Sequence, residues 1–377
     1  MSDFLGKRVT MKNLKFSILL CVVFLIPVKG QTDIRFADLR LNEIQVIGSH
    51  NSYKEALDTS LWKFIALLEP RLANSLQYEH ITLDEQLNLG LRNLELDVLY
   101  DPDGGRFKHP LGIKIMNAFS AMPTEYDPAN DLLKPGLKTF HIPDFDFRSH
   151  NLLFKDCLRV IKKWSVQNKN HIPIFITMNA KDDPLPLPGV VDPLPFTKSA
   201  LHSIDEEIRS VFNEDELITP DLIKGNYITL EEAILKKGWP RIEEVKGRVL
   251  FILDETGKKL ENYLGPEKSL SGKVMFVNAE EGNSCAAIRI VNDPIRDKAN
   301  IKRLVQKGYI VRTRADSDTK EARENNYQGF NNAVESGAQI ITTDYYFPSK
   351  LFHSSYCIKF VDHAYVKKND VVVDHGN

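Results

Sequence analysis

The 377-residue chain has only four cysteines and no excess of charge of either sign. It contains no Cys-x-x-Cys pair and no cluster of cysteine with histidine, which argues against a structural zinc site. Its 49 basic and 51 acidic residues give a net charge of -2, whereas nucleic-acid-binding domains usually carry a basic excess. We therefore expect no nucleic-acid partner, and nothing in the sequence implies a protein partner.

The longest apolar run is too short to span a bilayer. Residues 16–28 read FSILLCVVFLIPV, they follow Lys12 and Lys15, and they end near Gly30. A basic start, a short apolar centre and a small residue at the end are typical of a cleaved signal peptide, although an N-terminal core helix is the alternative. We predict a signal peptide over residues 1–30, an exported protein that is periplasmic or secreted, and a catalytic domain over residues 31–377.

Removal of the signal peptide leaves three cysteines, and they are Cys157, Cys285 and Cys357. Three is an odd number, so at least one thiol would stay free or pair outside the chain. Cys157 lies in an apolar helical stripe, and a bridge between Cys285 and Cys357 is an open alternative.

Eight short apolar runs, rich in β-branched residues, have the pattern of buried parallel strands. They are residues 41–47, 93–98, 137–142, 172–178, 249–253, 274–277, 309–313 and 339–343. Helical spacing recurs between many of them, for example after the capping box formed by Thr82 and Glu85. The alternation predicts an α/β fold, a single-domain (β/α)8 TIM barrel, and a doubly wound sheet is the alternative.

Two irregular segments interrupt the pattern, each after a predicted strand. Residues 101–135 are rich in proline, glycine and aspartate, and residues 182–195 read DDPLPLPGVVDPLP. Loops that follow the strands of a barrel build its active-site face. We therefore expect these segments to lie at the barrel mouth.

Polar side chains follow four successive predicted strands. The residues are His50 and Asn51 after the first strand, Glu95 and Asp97 at positions i and i+2 of the second, His141 at the end of the third, and Asn179 after the fourth. Two carboxylates on one side of a strand need a cation, a proton or donors, and a hard divalent metal with oxygen ligands meets that need. Each residue also has an ordinary explanation, such as a surface histidine, a turn asparagine or a solvated strand face.

The order of these motifs resembles the Ca²⁺-dependent phosphatidylinositol-specific phospholipase C family, and most closely its secreted bacterial branch. The resemblance rests on GSHNSY (48–53), LRNLELD (91–97), HIPDFD (141–146) and GYIVRTRAD (308–316). It continues in residues 321–323 (EAR), 337–339 (GAQ) and 343–345 (TDY). It implies a TIM-barrel phosphodiesterase with one Ca²⁺ ion at the mouth.

The resemblance also implies roles for individual residues. It makes His50 and His141 catalytic histidines and gives the metal the ligands Asn51, Glu95 and Asp97. The family usually has a glutamate at the end of the fourth strand, and Asn179 occupies that place here. Lys181 matches a substrate-contacting lysine.

A mechanism that fits these residue types begins at the inositol 2-hydroxyl. Glu95 accepts its proton, His50 stabilises the developing charge, and His141 protonates the departing glycerol oxygen. Arg312 and Arg314 either hold the headgroup or form a salt-bridged rim. Tyr345 either stacks on a sugar ring or packs in the core.

The expected substrate is an inositol phospholipid at a membrane surface that the protein meets transiently. Four apolar residues of the 101–135 segment either dip into the interface or belong to the core; they are Ile115, Met116, Phe119 and Met122. Two other functions stay open. One is a glycerophosphodiester phosphodiesterase, which typically has arginine where Asn51 stands. The other is a non-catalytic lipid- or sugar-binding barrel, which the missing fourth-strand glutamate keeps possible.

Overall fold

Eight parallel strands form a nearly closed barrel in the computed structural model, which describes residues 36–119 and 121–372. The strands are Ile44–Ser49 (β1), Asn93–Val98 (β2), Ile174–Ala180 (β3), Val249–Leu253 (β4), Phe276–Val277 (β5), Ile288–Ile290 (β6), Ile310–Arg314 (β7) and Ile340–Thr343 (β8). Their order is β5-β4-β3-β2-β1-β8-β7-β6, and a bridge from Asn278 to Ile288 joins the two ends. The predicted TIM barrel is confirmed, whereas the predicted signal peptide lies outside the described residues.

Helices connect and cover the strands. They are Thr59–Leu68 (α1), Pro70–Ser75 (α2), Leu83–Leu89 (α3), Leu111–Ala118 (α4), Phe154–Gln167 (α5), Lys198–Arg209 (α6), Pro220–Lys224 (α7), Leu230–Lys236 (α8), Ile242–Val245 (α9), Gly257–Leu264 (α10), Lys298–Lys307 (α11), Lys320–Glu324 (α12) and Gln328–Ser336 (α13). The predicted capping box is present, because Glu85 accepts the backbone N–H of Thr82 at 3.0 Å. Within the described part of the chain, no helix is long and apolar enough to cross a membrane.

The prediction of a barrel strand over residues 137–142 is wrong. β2 pairs directly with β3, and Asp97 lies opposite Asn179 in that register. Residue Lys138 instead bridges antiparallel to Leu99, the residue that follows β2. The segment therefore runs antiparallel to the chain just after β2 and is not a barrel strand. Its apolar side chains are buried, which explains why its sequence has the pattern of a strand. His141 thus lies on a connecting segment and not at the end of a barrel strand.

Two short strands were not predicted. β6 has three residues, Ile288–Ile290, and includes Arg289. Strand Val366–Lys368 (β9) pairs antiparallel with β1 outside the parallel barrel. Three-residue strands with charged members carry too little periodicity to be recognised from the sequence.

The connections after β2 and β3 form the long loops that the sequence predicted. The segment 101–135 contains α4, and residues 182–195 have no helix or strand. Close packing of β1 on β2 depends on Gly48, because a Cβ atom there would lie 2.4 Å from the Cβ of Asn93. The thiols of Cys157, Cys285 and Cys357 are all free, so the alternative of a Cys285–Cys357 bridge is wrong.

Candidate active site

The first predicted histidine lies beside an aspartate at the barrel mouth. Ser49 of β1 pairs with Thr343 of β8 in parallel register, so the following residues, His50 and Asp344, are neighbours. Nδ1 of His50 lies 2.9 Å from Oδ1 of Asp344. A carboxylate at this place accepts the Nδ1–H and leaves Nε2 as the free ring nitrogen.

The surroundings of His50 favour its neutral form. Burial lowers the pKa of His50 well below its ordinary value, and the guanidinium of Arg314 lowers the pKa further. Glu95 acts in the opposite sense, and its Oε1 lies 3.7 Å from Nε2. A neutral imidazole with its proton on Nδ1 can accept a proton at Nε2.

The second predicted histidine also has an aspartate partner. Nδ1 of His141 lies 2.8 Å from Oδ2 of Asp146, and the other carboxylate oxygen accepts a hydrogen bond from Nζ of the fully buried Lys54 at 2.6 Å. Burial by itself raises the pKa of Asp146, but Lys54 and then His141 outweigh burial and bring that pKa below its ordinary value. Asp146 is therefore an anion in hydrogen-bond contact with the ring of His141.

Glu95, Asp97 and Asn179 form one cluster on adjacent strands. Nδ2 of Asn179 donates to Oε1 of Glu95 at 3.1 Å. The hydroxyl of Tyr53 donates to Oδ2 of Asp97 at 2.9 Å. The two carboxylates of β2 thus face the interior of the barrel, as their i and i+2 spacing predicted.

Asn51 stands next to this cluster in a left-handed backbone conformation, with φ of 47°. Asparagine tolerates that conformation better than most residues. Its Nδ2 donates to the hydroxyl of Tyr78 at 2.8 Å. The next residue, Ser52, fixes the turn to β2, because its Oγ accepts the backbone N–H of Glu95 at 2.7 Å.

The chemistry of this donor set fits Ca²⁺. Glu95 and Asp97 supply carboxylate oxygens, while the Oδ1 atoms of Asn51 and Asn179 make no hydrogen bond within the described chain. Ca²⁺ prefers such oxygen ligands. Among the described residues, no three Asp, Glu, His or Cys side chains already form a metal-binding group, so amide oxygens have to complete the set.

The three predicted cationic residues differ in solvent exposure and in their distances from carboxylates. Arg312 is buried, where it binds Glu95 and donates to Oδ1 of Asn292 at 2.5 Å. Nη2 of Arg314 lies 3.9 Å from Asp344. Lys181 is the more accessible cation, with Nζ 3.9 Å from Asp97.

The structure does not place Tyr345 among these side chains. It is buried, with its ring packed edge-on against Phe352 and Tyr356. Packing in the core, one of the two predicted alternatives, describes its position.

Asp254 is a site residue that the sequence analysis missed. β3 and β4 pair Met178 with Leu253, so Asp254 follows at the level of Asn179 on the next strand. Burial raises the pKa of Asp254 to about 6, and the repulsion from Glu95 adds to the rise while Arg312 opposes it. A polar residue directly after the predicted strand at 249–253 was the available signal.

Comparison with known families gives one match over most of the chain. Residues 39–370 match the family model described as phosphoinositide phospholipase C, Ca²⁺-dependent. No curated protein sequence is significantly similar to the chain.

Two solved structures illustrate the likeness of the fold. A calcium-dependent phosphoinositol-specific phospholipase C from a Pseudomonas species, in its myoinositol complex, is 17% identical with a TM-score of 0.54. That match covers 89% of this chain and 97% of the other. A Ca²⁺-dependent phosphatidylinositol-specific phospholipase C from Streptomyces antibioticus is 15% identical with a TM-score of 0.50, covering 84% and 99%.

Proposed function

The chain belongs to the Ca²⁺-dependent phosphoinositide phospholipase C family, and we propose that it cleaves phosphatidylinositol to diacylglycerol and an inositol phosphate, initially cyclic. Membership in this family makes the protein a phosphodiesterase that acts on phosphoinositides.

One observation carries the proposal. Two histidines are each hydrogen-bonded to an aspartate, and Nε2 of the first lies 3.7 Å from Glu95 in the cluster of carboxylate and amide oxygens, while the second acts electrostatically on the first. Cleavage of a phosphodiester by a neighbouring hydroxyl needs a proton acceptor, a proton donor and a cationic environment for phosphate. The two pairs and the oxygen cluster meet all three needs.

In the first step, the inositol 2-hydroxyl attacks phosphorus and its proton goes to Nε2 of His50. The sequence analysis gave this proton to Glu95 and charge stabilisation to His50. However, Glu95 binds Arg312 through one oxygen and Asn179 through the other. In His50, Nδ1 donates to Asp344, and the lowered pKa keeps the ring neutral, so that Nε2 is free to accept a proton. We therefore assign proton acceptance to His50 and metal binding to Glu95.

The bond from phosphorus to the glycerol oxygen then breaks, and that oxygen takes a proton from His141. The anionic Asp146 stabilises the imidazolium form of His141 that this step requires. Lys54 in turn keeps Asp146 ionised without contacting the ring. A protonated imidazole is a suitable donor because its ordinary pKa lies near neutral pH.

Four residues would hold one Ca²⁺ ion, and they are Asn51, Glu95, Asp97 and Asn179. When bound, such an ion neutralises phosphate charge and acidifies the attacking hydroxyl. Lys181 is the cation best placed to contact substrate, because its side chain is 35% exposed. Arg312 fixes Glu95, and Arg314 lies beside His50, with its Nη2 3.4 Å from Nδ1.

We also propose that the protein is exported after cleavage near Gly30 and that residues 31–377 form the mature catalytic domain. The basic and apolar start of the chain supports export. N-terminal sequencing of the protein from the culture medium or periplasm would test the cleavage site. A mature protein that retains residues 1–30 would contradict it.

The test of function is release of water-soluble inositol phosphate from phosphatidylinositol vesicles, with Ca²⁺ and with a chelator. Phosphorus NMR identifies a cyclic product. We expect release with Ca²⁺ and loss of release after chelation or in His50→Ala. Cleavage of added glycerophosphoinositol to glycerol phosphate and inositol, with the vesicles left intact, would instead indicate the glycerophosphodiesterase. Vesicle binding without cleavage of either compound would indicate a non-catalytic barrel.

A further inference from the structure

A groove at the end of the barrel opposite the active site is lined mainly by cations. It encloses about 560 Å³ between α7, the end of α8 and the residues that lead into β4, and we call it the basal groove. Among the lining residues that the structure describes, Glu244 has the only carboxylate, whereas five side chains are cationic. The cations are Arg40, Lys236, Lys237, Arg241 and Arg248. Since the whole chain carries a net charge of -2, this local excess is not a general property of the surface.

The basal groove lies at the amino ends of the strands. Arg40 and the single turn Leu41–Glu43 lead into β1, and Arg248 directly precedes β4. Arg40 also bridges antiparallel to Arg241, which brings the two approaches together. His50 directly follows β1 at its carboxyl end, so the basal groove is separate from the candidate active site.

The guanidinium of Arg40 is fixed in the groove by its neighbours. Gly238 has a φ of 79°, and a Cβ atom there would lie 3.2 Å from Nη1 of Arg40. That Nη1 donates to the carbonyl of Trp239 at 2.7 Å, and the buried indole of Trp239 donates to the carbonyl of Gly308 at 2.9 Å. The contact with Trp239 orients the guanidinium of Arg40 and uses only one of its N–H groups.

Two further cations of the basal groove have no partner. Within the described part of the chain, the side chains of Lys237 and Arg248 make no hydrogen bond and no ion pair. Arg248 is half-buried, so water screens its charge less than that of an exposed residue. Glu244 does not neutralise them, because its Oε2 accepts the backbone N–H of Arg241 at 2.7 Å. Like charges that line one cavity repel each other, and an anion bound among them is attracted by all of them.

An ordinary solvated surface is the alternative, and it accounts for Lys236. Nζ of Lys236 pairs with Glu232 one helical turn earlier at 2.6 Å, which is typical of an exposed helix. It does not account for three arginines that line one cavity. Planar guanidinium groups bind phosphate oxygens through paired hydrogen bonds, so the residue types favour a phosphorylated ligand.

We propose that the basal groove binds a small anion that carries at least two phosphate groups. The groove volume lies within the range of about 300–1,000 Å³ that is usual for small-molecule sites. Several phosphates supply the charge that matches several cations, and the apolar wall formed by Leu222 and Ile223 suits the organic part of such a ligand. The inference is independent of the proposed function, because the two sites lie at opposite ends of the barrel.

The test is calorimetric titration of the Ca²⁺-free protein with tripolyphosphate, and with orthophosphate at the same ionic strength. The groove variant is Lys237→Gln with Arg248→Gln. The control is Lys163→Gln with Lys302→Gln, because these lysines are exposed on α5 and α11 and do not line the groove. Circular dichroism of each variant confirms folding. Lys237→Gln alone changes only an exposed side chain and replaces the double variant if that one does not fold.

We expect the native protein to bind tripolyphosphate at least about tenfold more tightly than orthophosphate. The groove variant should bind tripolyphosphate at least about tenfold more weakly than the native protein, and the control variant should match the native protein. Added salt should weaken binding. No binding by the native protein, equal binding by the groove variant, or equal affinity for the two anions would overturn the proposal.

Turnover of dispersed phosphatidylinositol separates the basal groove from the active site. We expect the groove variant to keep the native activity, since its two residues lie at the other end of the barrel. Tripolyphosphate binding that persists in the groove variant and is lost in Lys181→Met would place the anion at the mouth and overturn the proposal. If the native protein binds tripolyphosphate through the groove but cleaves no phosphatidylinositol, the proposed function fails while the groove site stands.

Discussion

Asp344 accepts a hydrogen bond from Nδ1 of His50 at 2.9 Å, across the seam between the first and last strands of the barrel. The pair exists because Ser49 and Thr343 are in register one position earlier. An aspartate in this position fixes the imidazole tautomer and stabilises the imidazolium formed when Nε2 accepts a proton.

Replacing Asp344 by asparagine should remove most of the catalytic activity and leave the fold unchanged. Asparagine has no negative charge to stabilise the imidazolium, and its NH2 group can donate to Nδ1 and favour the wrong imidazole tautomer. We therefore expect kcat to fall by about two to four orders of magnitude. Steady-state kinetics on dispersed phosphatidylinositol measures the loss. A loss carried only by a higher KM with kcat unchanged, or full activity, would contradict the role assigned to this pair.

The ion pair beneath His141 should contribute to stability in a pH-dependent way. The pKa of Asp146 is lowered in the folded state, so its contribution is present above the unfolded carboxyl pKa and is lost as the pH falls through the folded value. Asp146→Asn leaves Lys54 buried without a charge partner, which typically costs about 3–5 kcal/mol.

Urea unfolding at pH 7 and pH 3 measures this contribution. We expect the variant to be less stable at pH 7 and the difference to shrink at pH 3. Lys54→Met with Asp146→Asn is the matched control, because it removes both charges and should recover part of the stability. A single variant as stable as the native protein at pH 7 would contradict the ion pair.

Asp316 should act on stability with the opposite sign. Burial raises its pKa to about 7, and repulsion from Asp344 adds to the rise. The folded state therefore holds a proton that the unfolded state releases between about pH 4 and pH 7, and the free energy of unfolding falls as the pH rises through that window. Asp316→Asn removes this titration, while its amide oxygen can still accept the backbone N–H of Asp344.

Unfolding by urea at pH 5 and pH 8 tests this prediction. The native protein should lose at least about 1 kcal/mol more than Asp316→Asn on going from pH 5 to pH 8. Parallel curves for the two proteins would show that Asp316 ionises normally.

Arg312 and Lys181 should separate into a structural and a substrate-binding cation. Arg312→Met leaves Glu95 buried without its partner, so we expect a loss of about 3–5 kcal/mol and a weaker cation site. Lys181→Met should leave the free energy of unfolding within about 0.5 kcal/mol and raise KM. Thermal unfolding and kinetics of both variants decide between the assignments, and the reverse pattern would exchange them.

Asp97 should set the Ca²⁺ requirement. Asp97→Asn removes one of two carboxylates from the donor set, and we expect at least about a tenfold higher Ca²⁺ concentration for half-maximal activity. Calorimetric titration of Ca²⁺ without substrate gives the same comparison independently of catalysis. Asp183→Asn is the control, because Asp183 is an exposed carboxylate after β3. An unchanged requirement in Asp97→Asn would remove Asp97 from the cation site.

The barrel was predictable because buried parallel strands leave a local mark in the sequence. The spacing of Glu95 and Asp97, at positions i and i+2 of a strand, also predicts that their side chains lie on the same face of the strand. The path of His141 was not predictable, because a buried segment that bridges antiparallel beyond β2 has the same apolar composition as a strand.

Pairings across the barrel depend on register, which the sequence does not state. Arg312 binds Glu95 across a separation of 217 residues. Asp344 reaches His50 only through the β1–β8 register. Asp254, in contrast, could have been predicted from the sequence, because it directly follows a predicted strand and polar residues at strand ends build the active site of a barrel.

A structure determined with Ca²⁺ and inositol tests the central claim most directly. We predict one ion within about 2.3–2.6 Å of oxygens from Glu95 and Asp97, completed by Asn51 and Asn179. The inositol 2-hydroxyl should lie within hydrogen-bonding reach of Nε2 of His50, with His141 on the opposite side of the phosphate position. An ion bound elsewhere, or inositol out of reach of both histidines, would contradict the account.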